Sequence, residues 1–578
     1  MKHLIILFCL LISNISNAQI PTIKWGSEQP EGRFDELLLF KDGIYFGSRT
    51  YGNFFEDLRN NYVTSFSVIQ GVEVTKTVLL TREIAGKKVK YEGMTVIKDQ
   101  LVVFFSVLEK ETYHIYRQVF TSDLVATSEV EIGTFEIPDK YNSESAIHIL
   151  KSSNGHFGGV LYTMDNMQTN ELSFGYAVLD STCTPIAKNT LVLPMEVGYM
   201  TAGTYLLANN GDFYITYNEK VSQNRNKLNN GSRGNFRIGP FSIFPMQSNY
   251  NLVTNDELDA IQRIHAYKFK NGQVTKVTHK LEKTSINNYK LLVNSDSNVV
   301  ICGSFLRTKG DKMINRSELS MNGIFTINID FQNLKVVSEK YSDVALNVYT
   351  YGMSERKKTR VESNLAGNML LPKLYDYKLK NVTCLTNGNI VGHLEQTVRN
   401  VTYSSYNNGF GGYGYGGAMG GYSPYNTTVN ITYYFKDIIV FCLKSDGSVL
   451  WMKKILKSQT STEYNGAYVS SFAFISDNQY NLLFTDNIKN YAENGIFIAT
   501  RKIHGNPVFA KNNIVSKVSI VLETGQTKRD QFLLKLEQDG CYIPRDFKYD
   551  PIRKSLLLVS DIGVFGNKIR LGVTAMNE

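Results

Sequence analysis

The amino-acid sequence predicts an all-β fold, a β-propeller of seven or eight four-stranded blades, and three observations carry the prediction. Apolar runs recur in pairs joined by short turns of Gly, Asp or Asn. These nearly continuous apolar pairs alternate with pairs that read apolar-in and polar-out, as the inner and outer strands of one blade should. The repetition runs along almost the whole 578-residue chain, and a closed radial stack of small sheets accommodates it with few unpaired strand edges. Two consecutive β-sandwiches are the competing fold, but they do not require the inner and outer alternation.

From the N-terminus, Met1-Lys2-His3, the apolar run from Leu4 to Ile12 and the small-residue site ending at Ala18 have the three parts of a secretory signal peptide. The expected division is therefore a leader over 1–18 and a single propeller domain over 19–578. The apolar run is too short to span a bilayer, which takes about 20 residues. Cys9 lies inside that run rather than after a small-residue pair at its end, which argues against a lipid-attached N-terminus. An exported chain without a transmembrane segment is expected in a periplasm, beside an outer membrane or outside the cell.

Inner hairpins are expected near 36–48, 93–106, 145–163, 203–217, 288–304, 381–394 and 470–484. The first holds Asp42-Gly43 between Leu37-Leu38-Leu39-Phe40 and Ile44-Tyr45-Phe46, and the sixth holds Asn387-Gly388-Asn389 between Cys384-Leu385 and Ile390-Val391. Such turn residues tolerate positive φ. Outer pairs are expected from Ile438 to Trp451 around Asp446-Gly447, and from His265 to Val277 around Asn271-Gly272. Others are expected from Ile324 to Val337, Phe497 to Val508 and Phe532 to Tyr542. A last outer-type hairpin at 531–548 and an inner-type one at 554–575 give eight blades, or seven if they complete the first. With Trp451 placed where quinoprotein-type blades often carry tryptophan, the turn-and-aromatic pattern resembles secreted bacterial WD40-like or quinoprotein-like propellers in general form. The regular Trp-Asp dipeptide and the Ser-x-Asp-x-Gly-x-x-Trp box of sialidases are absent.

Strand direction in a four-stranded meander puts the turns inside hairpins on one face of the disc and the connections between hairpins on the other. The long connections at 218–260, 341–378 and 395–432 all join one hairpin to the next, so they are expected to crowd on one face. Long excursions of this kind are often functional. Arg225, Arg233 and Arg237 in the first form a basic lip suited to an acidic glycan, a phosphate or an acidic protein surface, or else a solvated loop. The third contains a Gly/Tyr-rich stretch over 408–425, where Tyr413, Tyr415, Tyr422 and Tyr425 offer flat, hydroxyl-bearing faces on a permissive backbone. Such a stretch can bind sugars or proteins, or serve as a low-complexity linker.

Chemistry is harder to find. Without the leader, 61 Lys and Arg face 53 Asp and Glu, a mild positive balance with no dense basic cluster, so nucleic acid is not expected as a partner. Five cysteines remain, Cys183, Cys302, Cys384, Cys442 and Cys541, so at least one is free or pairs between chains. No metal-ligand spacing, GxSxG elbow, phosphate loop or EF-hand loop occurs, and no cofactor is implied. Asp35, Asp376 and Asp437 are acids that could face a channel, but no catalytic residue can be chosen. The leading expectation is a secreted, non-catalytic binding or scaffold module of the cell envelope that recognises a protein or glycan through its loop-rich face. The alternatives are a glycan-active hydrolase or lyase with its site at the channel, and a surface adhesion component.

Overall fold

The computed structural model describes residues 21–576 apart from 30–33, 52–62, 81–82, 85, 137–142, 167–170, 195–198, 222–260, 271, 282–283, 295–297, 308–320, 367–373, 406–426, 463–467, 470, 501–502, 505–511, 535–539 and 563–567. Eight blade sheets of antiparallel strands follow one another along the chain. Blades 1 to 7 span 36–79, 90–136, 143–194, 199–281, 284–343, 377–455 and 471–533. In each, strands pair in sequence order from the inner to the outer edge. The first strands of successive blades pack side by side around the axis. At the junction of blades 5 and 6, Lys290 Nζ donates to the Lys380 carbonyl at 3.1 Å. The arrangement is an eight-bladed propeller and excludes the tandem sandwiches.

Burial follows position in the blade. The second strand of blade 5, Val299–Arg307, is buried at every residue but the last, whereas its outer strand, Lys335–Asp343, has no buried residue. Apolar clusters fill the spaces between blades. One joins Leu292, Val300 and Cys302 of blade 5 to Tyr377, Leu379, Leu394 and Ile439 of blade 6. Each wholly buried phenylalanine in such a cluster, Phe46 or Phe104 for example, contributes about 1.5–3 kcal/mol of transfer free energy. All five described cysteines are free; Cys384 is half-buried and the others are buried.

All seven expected inner hairpins occur, and two outer pairs need correction. Blade 7 is completed by Asn513–Val521 and Thr527–Leu533, not by 497–508. Within that segment Ile503–His504 instead runs parallel to Gln459–Ser461. Both regions offer a turn flanked by apolar residues, and pairing with Gln479–Asn487 decides between them. The expected hairpin at 531–548 is divided between blades. Thr527–Leu533 ends blade 7, while Gly540–Tyr542 and Lys548–Asp550 form the interrupted inner strand of blade 8. Ser555–Ile562 and Ile569–Ala575 follow, and the outer position is taken by Ile23–Gln29 from the other end of the chain. The ring closes through that strand. Ile23 and Trp25 pack with Leu556, Leu558 and Met576, so the closure buries apolar surface as well as pairing backbone.

Candidate functional site

Strand direction distinguishes the two faces. Turns between first and second strands and between third and outer strands lie on one, called here the turn face. Connections between second and third strands, and between blades, lie on the other, the insertion face. Turn-face connections are short because residues in the left-handed region reverse the chain within two positions, as at Asp42 (φ 51°) and Gly43 (φ 71°). Trp451, at the turn-face end of the outer strand of blade 6, donates from Nε1 to the Leu522 carbonyl of blade 7 at 2.8 Å. A β-carbon on Gly525 would lie 2.7 Å from the indole, so this turn has room for glycine alone.

On the insertion face lie the strand ends that 222–260 and 406–426 join in sequence, Val221 and Ile261 of blade 4 and Ser405 and Thr427 of blade 6, and the start of the 344–376 connection between blades 5 and 6. The last carries helices α1 (Leu346–Thr350) and α2 (Glu355–Ala366). Within 395–432 the strands of blade 6 continue past the blade. After a register shift between Glu395 and Thr397, nine residue pairs follow, from Thr397↔Phe435 to Ser405↔Thr427. At about 3.3 Å per residue this is a ribbon roughly 30 Å long. Its root is braced by Gln459–Ser461 against Tyr433, Tyr434 and Phe435, with Ile503–His504 beyond. The expected binding residues Tyr413, Tyr415, Tyr422 and Tyr425, and Arg225, Arg233 and Arg237, lie outside the described residues.

A feature the sequence reading missed lies beneath these excursions. Five second strands place a buried charged residue near their insertion-face end: Arg49, Glu219, Glu395, Asp486 and Asp561. The available signal was a charge closing an otherwise apolar run, repeated from blade to blade. Glu395 is the most enclosed. It pairs with the buried Lys457 ammonium, lies 3.5 Å from Lys380 Nζ and accepts from Ser471 Oγ at 3.4 Å. Burial pushes the carboxyl toward protonation, but Lys457 and Lys380 outweigh it and hold its pKa below the usual carboxylate value. Lys457 also donates to Gln459 Oε1 at 2.9 Å, and Gln459 Nε2 donates to the Thr485 carbonyl at 2.7 Å.

Beside this pair, His393 Nδ1 lies 2.7 Å from the Tyr480 hydroxyl. Burial drives the imidazole pKa down to about 3, so the ring is neutral at physiological pH. Its Nε2 has no hydrogen-bond partner among the described residues. In blade 7, Asp486 accepts from Tyr491 OH at 2.7 Å, Asn490 Nδ2 at 2.6 Å and Arg529 Nη2 at 2.5 Å. Arg529 also donates to the Leu456 carbonyl at 2.7 Å and lies 3.7 Å from the centre of the Phe497 ring. In blade 4, Glu219 meets His265 Nε2 at 2.9 Å and Arg263 at 3.5 Å. These groups tie strand ends and the roots of excursions to one another.

The acids considered from sequence do not converge. Asp35 is exposed before blade 1, Asp376 precedes the inner strand of blade 6, and Asp437 takes the Lys457 backbone N–H at 3.2 Å and Lys454 Nζ at 3.2 Å. The arrangement closest to acid–base chemistry is Glu36, on the inner strand of blade 1, which accepts from Tyr91 OH of blade 2 at 3.0 Å. Burial raises the Glu36 pKa against the lowering effect of that bond, and it raises Tyr91 strongly. Among the described residues no group of three or more His, Cys, Asp and Glu is placed to hold a metal ion.

No protein-family model and no curated protein matches the chain. Solved structures do. A prolyl endopeptidase matches at 9% identity with a TM-score of 0.34, over 96% of this chain and 56% of its own, so the chain spans little more than half the length of that protein. An oligogalacturonate lyase in complex with manganese matches at 9% identity and a TM-score of 0.32, over 95% of this chain and 98% of its own. An ulvan lyase bound to a glucuronate–sulfated rhamnose unit matches at 8% and 0.32, over 83% and 90%. Likeness this distant carries no argument about activity.

Proposed function

We propose that this chain is an exported, non-catalytic binding module of the cell envelope that recognises a protein or glycan through its insertion face. The observation that carries the reading is the braced ribbon of blade 6, whose last described pair, Ser405 and Thr427, flanks the Gly/Tyr-rich stretch in the sequence. Export rests on the leader at 1–18. The ionisable groups at the root of the ribbon are bonded to one another inside the blades, as suits a rigid platform. Ordering a glycine-rich tip on binding has an entropic cost, so a firm root favours capture.

Removing residues 408–425 tests the reading. The shortened protein is expected to lose capture of its partner from envelope extracts while its melting temperature stays nearly constant. Undiminished capture would overturn the role given to the ribbon. A second reading, a hydrolase or lyase acting on glycans at the channel, is favoured by the Glu36–Tyr91 pair alone; turnover of a polysaccharide that vanishes in Glu36→Gln would establish it instead.

A further inference from the structure

The inner strand of blade 6, Tyr377–Cys384, alternates sharply: Tyr377 and Leu379 are buried between blades, while Lys378 and Lys380 are exposed. On the innermost strand of a ring, exposure means facing the axial channel. Lys290 of blade 5 reaches the same level, with its ammonium on the Lys380 carbonyl. Three lysines thus meet where the inner strands of blades 5 and 6 adjoin, near the insertion-face mouth, with the Lys380 ammonium turned along blade 6 toward Glu395 and Phe435. Among the described residues the carboxylate bonded to one of them is Glu395, which is already paired with Lys457.

Among the described residues no carboxylate lies within ion-pair distance of Lys290 or Lys378. Burial of the side-chain stems, and repulsion from Lys380, lower the pKa of both, and Asp376 offsets this only in part at Lys378. His393 Nε2, the unpartnered buried nitrogen, lies within electrostatic reach of Lys290 and Lys380. Phe435 of the third strand, half-buried, has its ring centre 5.9 Å from Lys380 Nζ. Ammonium groups beside a half-buried aromatic ring match a sugar chain that carries anionic substituents: the exposed part of the ring accepts the sugar's apolar face and the lysines its charge.

We propose that the channel wall at Lys290, Lys378 and Lys380 binds the anionic groups of an acidic polysaccharide. This rests on the binding-module reading and gives that module a ligand class, at residues other than the Gly/Tyr-rich stretch. The anion bridges blades 5 and 6 and supplies the charge that the protein leaves out.

The test uses the full mature chain in affinity electrophoresis through gels holding alginate, dextran sulfate, neutral dextran or polyglutamate. Alginate carries carboxylates and dextran sulfate carries sulfates, so the two arms separate the possible sources of charge. Retardation is expected with at least one of them, absent with dextran and weakened by salt. Lys378→Gln and Lys290→Gln are each expected to weaken it about tenfold, and Lys378→Arg to retain it. No retardation by either acidic polymer would overturn the proposal, as would equal retardation by polyglutamate or undiminished binding in the Lys378→Gln, Lys290→Gln double variant. A circular-dichroism melt matching the parent shows that a variant which loses binding is still folded. The 408–425 deletion separates the two readings. If it binds polymer but captures no partner, both stand; if polymer binding fails while capture by the parent persists, only the channel site falls.

Discussion

The turn face and the insertion face are made by the same strands, yet the charged pairs between neighbouring turns and those at the roots of the excursions differ sharply in burial. On the turn face, two charged contacts lie in water between neighbouring turns, Lys41 with Asp99 at 3.0 Å and Lys554 with Asp477 at 2.7 Å, with all four side chains at least 38% exposed, although Lys268–Asp212 in blade 4 is shielded. On the insertion face, Glu395–Lys457 and Asp486–Arg529 have side chains no more than 9% exposed. An exposed pair gains little because water screens it and the side chains lose entropy. A buried pair is costly to assemble but more costly to break, since one lost partner leaves a bare charge in the interior. The insertion face therefore resists local change at the roots of its excursions, whereas the turn face needs only its reversals.

The largest effect expected from this contrast is that of Lys457→Met. Leaving Glu395 without its principal partner should cost about 3–5 kcal/mol in denaturant unfolding, and Glu395→Leu in the same chain should restore much of the loss. A cost as small as that of a surface pair would break the distinction between the faces.

Acid titration sharpens it. His393 has a folded pKa of about 3 against an ordinary 6.5. Between those values the unfolded chain binds the extra proton, so acid favours unfolding. Stability should be complete above pH 6.5 and fall by about 1.4 kcal/mol per pH unit below it. Glu395, with a depressed pKa, adds its own loss as the pH drops below about 4.5. His393→Leu should flatten the stability profile between pH 6.5 and 5, and a profile identical to the parent's would show that this imidazole is not buried neutral. The smallest effect belongs to the turn face: Lys41→Ala should cost less than about 1 kcal/mol, and less again at high salt.

The hairpins were readable because their signal is local: an apolar run, a turn residue tolerant of positive φ, and another run. Blade 8 was not, because its outer strand Ile23–Gln29 reads Ile-Lys-Trp-Gly-Ser-Glu-Gln, without an apolar run, and pairs with residues at the far end of the sequence. The Phe497 to Val508 segment looked like a hairpin because turn chemistry alone does not say which neighbour a strand will meet. For the site, the charges that close the second strands are visible in sequence. Their partners are not, since Lys457 reaches Glu395 across 62 positions and Arg529 reaches Asp486 across 43. The channel lysines were hidden for a related reason. Lys378 and Lys380 look like ordinary solvent-facing residues until the ring gives that solvent an axis.

The clasp between Ile23–Gln29 and Ile569–Ala575 also fixes the attitude of the whole disc. Ile23 lies opposite Thr574, and strand direction puts both at the turn-face rim. A tether attached beside either strand of the clasp would therefore start from the same rim, on the face opposite the root of the ribbon. Held by one terminus or the other, against a bead, a lipid layer or a fused neighbour, the molecule stands like a dish on its base with its open side turned outward.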